Sequence, residues 1–120
     1  ELKCSIIENS KSGSDTSGVK SKGVIHWVSQ SQNVPLELRI YDRLFKEEDV
    51  SAYEGDFKEI LNENSLSTTT AYGEPSLKDA TLDDKFQFMR KGYYVLDKES
   101  SSESLVFNQT VSLRDSWKKK

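Results

Sequence analysis

The sequence has 120 residues but only one Cys, one His, one Met and two Pro. A lone cysteine, Cys4, excludes an internal disulfide and a multi-cysteine metal centre, and it suits a reducing cytoplasm. With His26 as its only companion, a zinc site would need unusual carboxylate ligation, so no metal site is expected. A Gly-rich phosphate loop is also missing. Gly13-Ser14-Asp15-Thr16-Ser17-Gly18 lacks the Walker lysine and a preceding buried strand. No apolar run approaches the ~18–20 residues that cross a bilayer, and no signal peptide is visible, so no membrane partner is expected. Cationic excess is absent too. Lys and Arg number 17 against 20 Asp and Glu, a net charge of −3, which argues against general, charge-driven binding to nucleic acid. The chain opens Glu1-Leu2-Lys3 without an initiator Met, as expected of an excerpt or a processed product.

What is present suits one modest domain, burying about two-thirds of its unfolded surface. Hydrophobic residues are only 34% of the chain, yet 2 Trp, 5 Tyr and 5 Phe supply large side chains to pack. Leu2 to Ile7 reads as a short strand in which Cys4 is a small buried hydrophobe. Residues 9 to 22 are polar and Gly/Ser-rich, a flexible loop. Gly23-Val24-Ile25-His26-Trp27-Val28-Ser29 predicts a strand with both faces at least partly covered. After a polar turn, Leu36, Leu38 and Ile40 alternate with Glu37, Arg39 and Tyr41, the period of a half-buried strand.

From Val50 to Leu61 the spacing of Phe57, Ile60 and Leu61 predicts a short helix of two or three turns. Ser65 to Tyr72 is Thr-rich and strand-like, Gly73-Glu74-Pro75 is a turn, and Ser76 to Ala80 is one helical turn. Lys85 to Arg90 and Tyr93 to Leu96 flank Lys91-Gly92 as a hairpin. Leu105 to Leu113 forms the final strand, and Lys118-Lys119-Lys120 is a basic tail. The expected fold class is all-β: a small closed or partly open β-barrel of six or seven strands with one or two short helices.

Catalysis finds little support. His26 lies in an expected strand beside Trp27, a setting that favours a hydrogen-bonded structural role over a general base. The acid pair Glu47/Glu48 falls in a turn and reads as solvated surface. No catalytic residues are assigned. A binding surface fares better. In Lys85-Phe86-Gln87-Phe88-Met89-Arg90-Lys91-Gly92-Tyr93-Tyr94, Phe86 and Phe88 share the core face and Gln87 points outward beside a basic turn. An amide and a guanidinium there could read the edges of unpaired bases. An ordinary hairpin carrying solubilising charges fits the same pattern.

Lys22 to Ser29 followed by Leu38 to Phe45 resembles the C-terminal anticodon-binding region of the bacterial-type glutaminyl-tRNA synthetases. Further matching stretches are Glu74 to Ala80, Phe86-Gln87-Phe88 with Arg90 and Gly92-Tyr93, and Val106-Phe107-Asn108 through Leu113 to Trp117. They run in family order over residues 22 to 117. The resemblance implies two β-barrels that hold the tRNA anticodon, with residues 22–117 as the proximal one. Residues 1–21 would then continue from the neighbouring barrel, and 118–120 would be a tail. It further implies an ATP-dependent glutamine-tRNA ligase as parent. ATP and magnesium would be held in a catalytic domain elsewhere, leaving this piece without cofactor and non-catalytic. The implied partners are the anticodon loop of glutamine tRNA and the rest of the synthetase chain, in a cytoplasmic monomer.

By the same resemblance, Gln87 and Arg90 meet the middle uracil of the anticodon. Lys85, Lys91 and Arg114 could meet phosphates. The alternative is a structural or protein-interaction barrel without RNA readout. Met89 replaces the family's usual Glu, which bears on any ion pair that would orient Arg90, and Gln109 replaces a common Arg, which could remove a backbone or structural contact. In a regular strand Gln87 and Arg90 face opposite ways, so Arg90 must lie where the strand ends, or a bulge must re-aim it.

Overall fold

The computed structural model describes residues 4–23 and 25–113. Five strands form one sheet: β1 (Val34–Tyr41), β2 (Leu66–Gly73), β3 (Lys85–Phe88), β4 (Gly92–Leu96) and β5 (Leu105–Ser112). Their spatial order is β2-β1-β5-β4-β3. β1 and β2 pair antiparallel, as do β3 with β4 and β4 with β5, while β5 enters the centre of the sheet parallel to β1.

The alternation in β1 decides which face is buried. Val34, Leu36 and Leu38 join Tyr94, Leu105 and Phe107 in the core, and Phe86, Phe88 and Leu96 pack against them. Glu37, Arg39 and Tyr41 take the opposite face, as the period-2 pattern requires. Pro35 is tolerated in this inner strand because pairing with β5 begins only at Leu36. Aromatic rings fill the space over β3, β4 and β5. Phe88 stacks on Tyr94 with centroids 4.7 Å apart, and the Phe107 ring meets Phe86 and Phe88 edge-on at 5.6 and 5.2 Å. A 3-10 turn, Pro75–Asp79, lays Leu77 against the same cluster.

Several expectations change. The all-β expectation holds, but among the described residues the sheet has five strands and does not close, in place of the closed or partly open barrel of six or seven strands expected. The helix expected over 50–61 is two 3-10 turns, Val50–Ala52 and Phe57–Ile60. Asp49 and Asp56 each accept a backbone N–H two residues on, from Ser51 and Lys58, and such local bonds favour short turns over continuous helix. Residues 25–29 are not a strand, and the Ile25 and Trp27 side chains are 82% and 76% exposed. Val24 lies outside the described residues. Residues 4–7 are likewise unpaired, and Cys4 is exposed instead of buried. β-propensity expresses itself only where a neighbouring strand and a packing face are available, and neither segment has one among the described residues. His26, expected in a strand, is exposed in the same irregular segment.

Candidate nucleic-acid interface

The site elements converge at the β3–β4 hairpin, the outer edge of the sheet. Phe86 and Phe88 point into the core, so the alternation of β3 turns Lys85 and Gln87 to solvent, and both are exposed. β3 ends at Phe88, and the Lys91 N–H donates back to the Phe88 carbonyl at 2.9 Å. Arg90 occupies the third position of this turn with φ 63°, a left-handed conformation that L-residues other than Asn and Asp rarely adopt. That single residue resolves the orientation problem: strand alternation stops at Phe88, and Arg90 is presented by the turn. Backbone strain of this kind persists only where surrounding structure holds it.

Two neighbours hold it. Gly92 has φ 147°, and a Cβ there would lie 2.7 Å from the Val111 carbonyl oxygen and 2.8 Å from Gln109 Nε2. Only glycine lets β5 approach the turn so closely. Gln109 Nε2 donates to the Lys91 carbonyl at 3.2 Å and to the Tyr94 hydroxyl at 3.3 Å. Burial pushes the Tyr94 phenol pKa up, and the Gln109 amide offsets part of that rise. The residue standing for a common family Arg thus makes a structural contact of its own, tying β5 to the turn that carries Arg90.

Lys85 and Lys91 are exposed at the two ends of the same hairpin region. Arg114 and the tail 118–120 lie outside the described residues. Met89, in place of the family's Glu, is exposed in the turn. Tyr93 escapes sequence reasoning: it is the register partner of Gln87 and stands on the same outward face. Hairpin register carried that signal, since a loop closing Phe88 onto Gly92 sets Gln87 opposite Tyr93.

Further along the outer face, a charged network spans β1, β5 and the turn after β4. Arg39 bonds Glu37 at 2.7 Å and Glu99 at 2.8 Å and lies 3.7 Å from Asp97. The hydrogen bonds to Glu37 and Glu99 hold its guanidinium more firmly protonated. Asp97 also accepts from the Asn108 amide, whose carbonyl accepts from the Tyr41 hydroxyl at 3.0 Å. The Glu99 backbone N–H, the Asn108 amide and the charge on Arg39 keep the Asp97 carboxyl below its ordinary 3.8, against an opposing effect of burial. These groups satisfy one another, so the network braces the sheet beside the hairpin. Among the described residues, no three His, Cys, Asp or Glu side chains converge on a metal position, and no helix is long and apolar enough to cross a membrane.

The sequence model of the family described as tRNA synthetases class I (E and Q), anti-codon binding domain, matches residues 24–97. The chain belongs to this family. The anticodon-binding domain match takes in β1 to β4 and the entire Gln87–Arg90 hairpin. The chain is also similar to the Glutamine--tRNA ligase of Rhodopirellula baltica, 48% identical over 121 residues, and to that of Salmonella paratyphi B, 46% identical over 117. These matches cover 99% and 97% of this chain but 20% and 21% of the relatives. The chain therefore spans about a fifth of the length of the curated relatives it matches.

Proposed function

We propose that this chain is the part of a glutamine-tRNA ligase that reads the anticodon of glutamine tRNA, with Gln87 and Arg90 meeting the middle uracil. The observation that carries the reading is the hairpin itself. An exposed amide on an edge strand stands three residues from a guanidinium in a strained, braced turn, within an anticodon-binding domain. The chemistry suits the target: a Gln amide offers a donor and an acceptor to a uracil edge, and Arg donates to a uracil carbonyl. Lys85, Lys91 and Arg114 are proposed to meet backbone phosphates.

In the same reading, ATP and magnesium belong to the portion of the parent that this chain does not span, and the parent is a cytoplasmic monomer. Residues 22–117 are proposed as the proximal anticodon-binding barrel, with residues 1–21 continuing from the neighbouring barrel of the synthetase and 118–120 as a tail. The exposed Ile25 and Trp27 support that partner. They lie with Glu74 to Ser76 beside the end of β2, at the sheet edge opposite the hairpin.

Two base contacts at about 1–3 kcal/mol each supply roughly 2–6 kcal/mol, and millimolar affinity already needs about 4 kcal/mol. The isolated chain is therefore expected to bind weakly. Titrating it at high concentration with an anticodon stem-loop should move amide signals of residues 86–93. Shifts confined to Lys118–Lys120 would mark nonspecific charge and defeat the reading.

A further inference from the structure

We propose that Tyr93 is the stacking platform for the unpaired base whose edge Gln87 meets, an inference that rests on the anticodon reading. Gln87 and Tyr93 are direct partners across β3 and β4, and opposed residues of an antiparallel pair hold their Cβ atoms about 4.5–5.5 Å apart on one face. Phe86, Phe88 and Tyr94 define the core face, so Gln87 and Tyr93 both project to solvent. The adjacent tyrosines divide accordingly: Tyr94 is 1% exposed and belongs to the core, whereas Tyr93 is 43% exposed.

The far side of Tyr93 is shaped by an irregularity in β5. Tyr93 pairs with Val111 and Tyr94 with Gln109, which leaves Thr110 as an extra residue. The Thr110 hydroxyl donates to the Tyr93 carbonyl at 3.2 Å and fixes the distortion. Such bulges re-aim side chains, and here the partner set beside Tyr93 is Val111, itself 59% exposed. Gln87, Tyr93 and Val111 form one row across three strands, about 10 Å wide at ordinary strand spacing. An amide, an aromatic face and an aliphatic flank carry no charge. They match a planar heterocycle that lies on the ring while presenting its edge to the amide. Arg90, in the adjoining turn, supplies the positive charge.

The two residues then divide the work. Stacking is tolerant of base identity because every base has a π-face, whereas the amide distinguishes bases by their edges. The test measures charging by the full-length protein on glutamine tRNAs whose middle anticodon position is uracil, cytosine or abasic. Tyr93→Leu should lower kcat/KM about 5- to 150-fold on the uracil tRNA, the equivalent of about 1–3 kcal/mol. It should leave the uracil-to-cytosine ratio nearly unchanged and have almost no effect on the abasic tRNA, while Tyr93→Phe retains most activity. An equal loss on the abasic tRNA would assign Tyr93 a structural role, and no loss anywhere would remove it from the interface; either outcome overturns the proposal. Gln87→Ala in parallel tests the underlying reading separately, since it should change the uracil-to-cytosine ratio. A changed ratio there with an inert Tyr93→Leu sinks the stacking inference alone.

Discussion

Gly92→Ala tests whether the approach of β5 to the hairpin turn is what presents Arg90. At φ 147° an added methyl is strained whatever the space around it, a cost of about 1–2 kcal/mol. The same methyl would lie 2.7 Å from the Val111 carbonyl oxygen, a backbone atom, and 2.8 Å from Gln109 Nε2, which bonds the turn. Relief requires β5 to retreat from β4, an overpacking cost of about 1–3 kcal/mol. Alanine's lower unfolded-state entropy returns only about 0.4–1 kcal/mol. A local loss of about 1–4.5 kcal/mol corresponds to amide exchange roughly 5- to 2000-fold faster in the hairpin, at tenfold per 1.36 kcal/mol. Hydrogen exchange with mass spectrometry on the full-length protein reads this directly over residues 85–96. Discrimination at the middle anticodon base should weaken in parallel. Unchanged exchange in that segment would refute the packing argument, and fast exchange with intact discrimination would uncouple the turn from recognition.

Phe107 is fully buried beneath the Phe86 and Phe88 rings, so Phe107→Ala is expected to cost about 3–5 kcal/mol, visible as lost protection across β3, β4 and β5. Little change there would mean that the aromatic cluster is not what holds the hairpin to the sheet. Acid should loosen the network beside it. Because the folded Asp97 carboxyl lies below 3.8, its stabilising contribution is complete above that value and fades as pH falls through the depressed folded one. The Asn108 side-chain amide signal should track this loss between neutral pH and about pH 3, and Asp97→Asn should flatten the response. An identical acid response in that variant would assign the titration to another group.

The legibility of this protein follows from where single segments carry their own information. Leu36, Leu38 and Ile40 alternating with Glu37, Arg39 and Tyr41 mark β1 and its buried face without reference to any neighbour, although Ile40 proves half exposed near the strand end. Phe86 and Phe88 likewise place Gln87 outward, whereas the turn expected at Lys91-Gly92 falls on Met89 to Lys91, with Gly92 already opening β4. The residues 23–29 are as rich in β-branched and aromatic side chains as any strand. Pairing, however, depends on a partner edge that propensity does not supply, and Trp27 remains exposed. The helix fails at Gly55 and Asp56, where a capping carboxylate starts a new 3-10 turn. β3 stops at Phe88 and leaves Arg90 in the turn, but its left-handed backbone lies beside a Gln109-to-Lys91 contact made by a strand distant in sequence, which no local pattern announces. Tyr93 becomes visible as a site residue only once register joins it to Gln87.

The central claim is that Gln87 and Arg90 distinguish the middle anticodon base. Its most direct test is the charging rate of the full-length protein, wild type against Gln87→Ala and Arg90→Ala, on tRNAs with uracil or cytosine at that position. Each substitution is expected to reduce the preference for uracil by about 5- to 150-fold, the worth of one good base contact at about 1–3 kcal/mol. A preference unchanged in both variants would contradict the account.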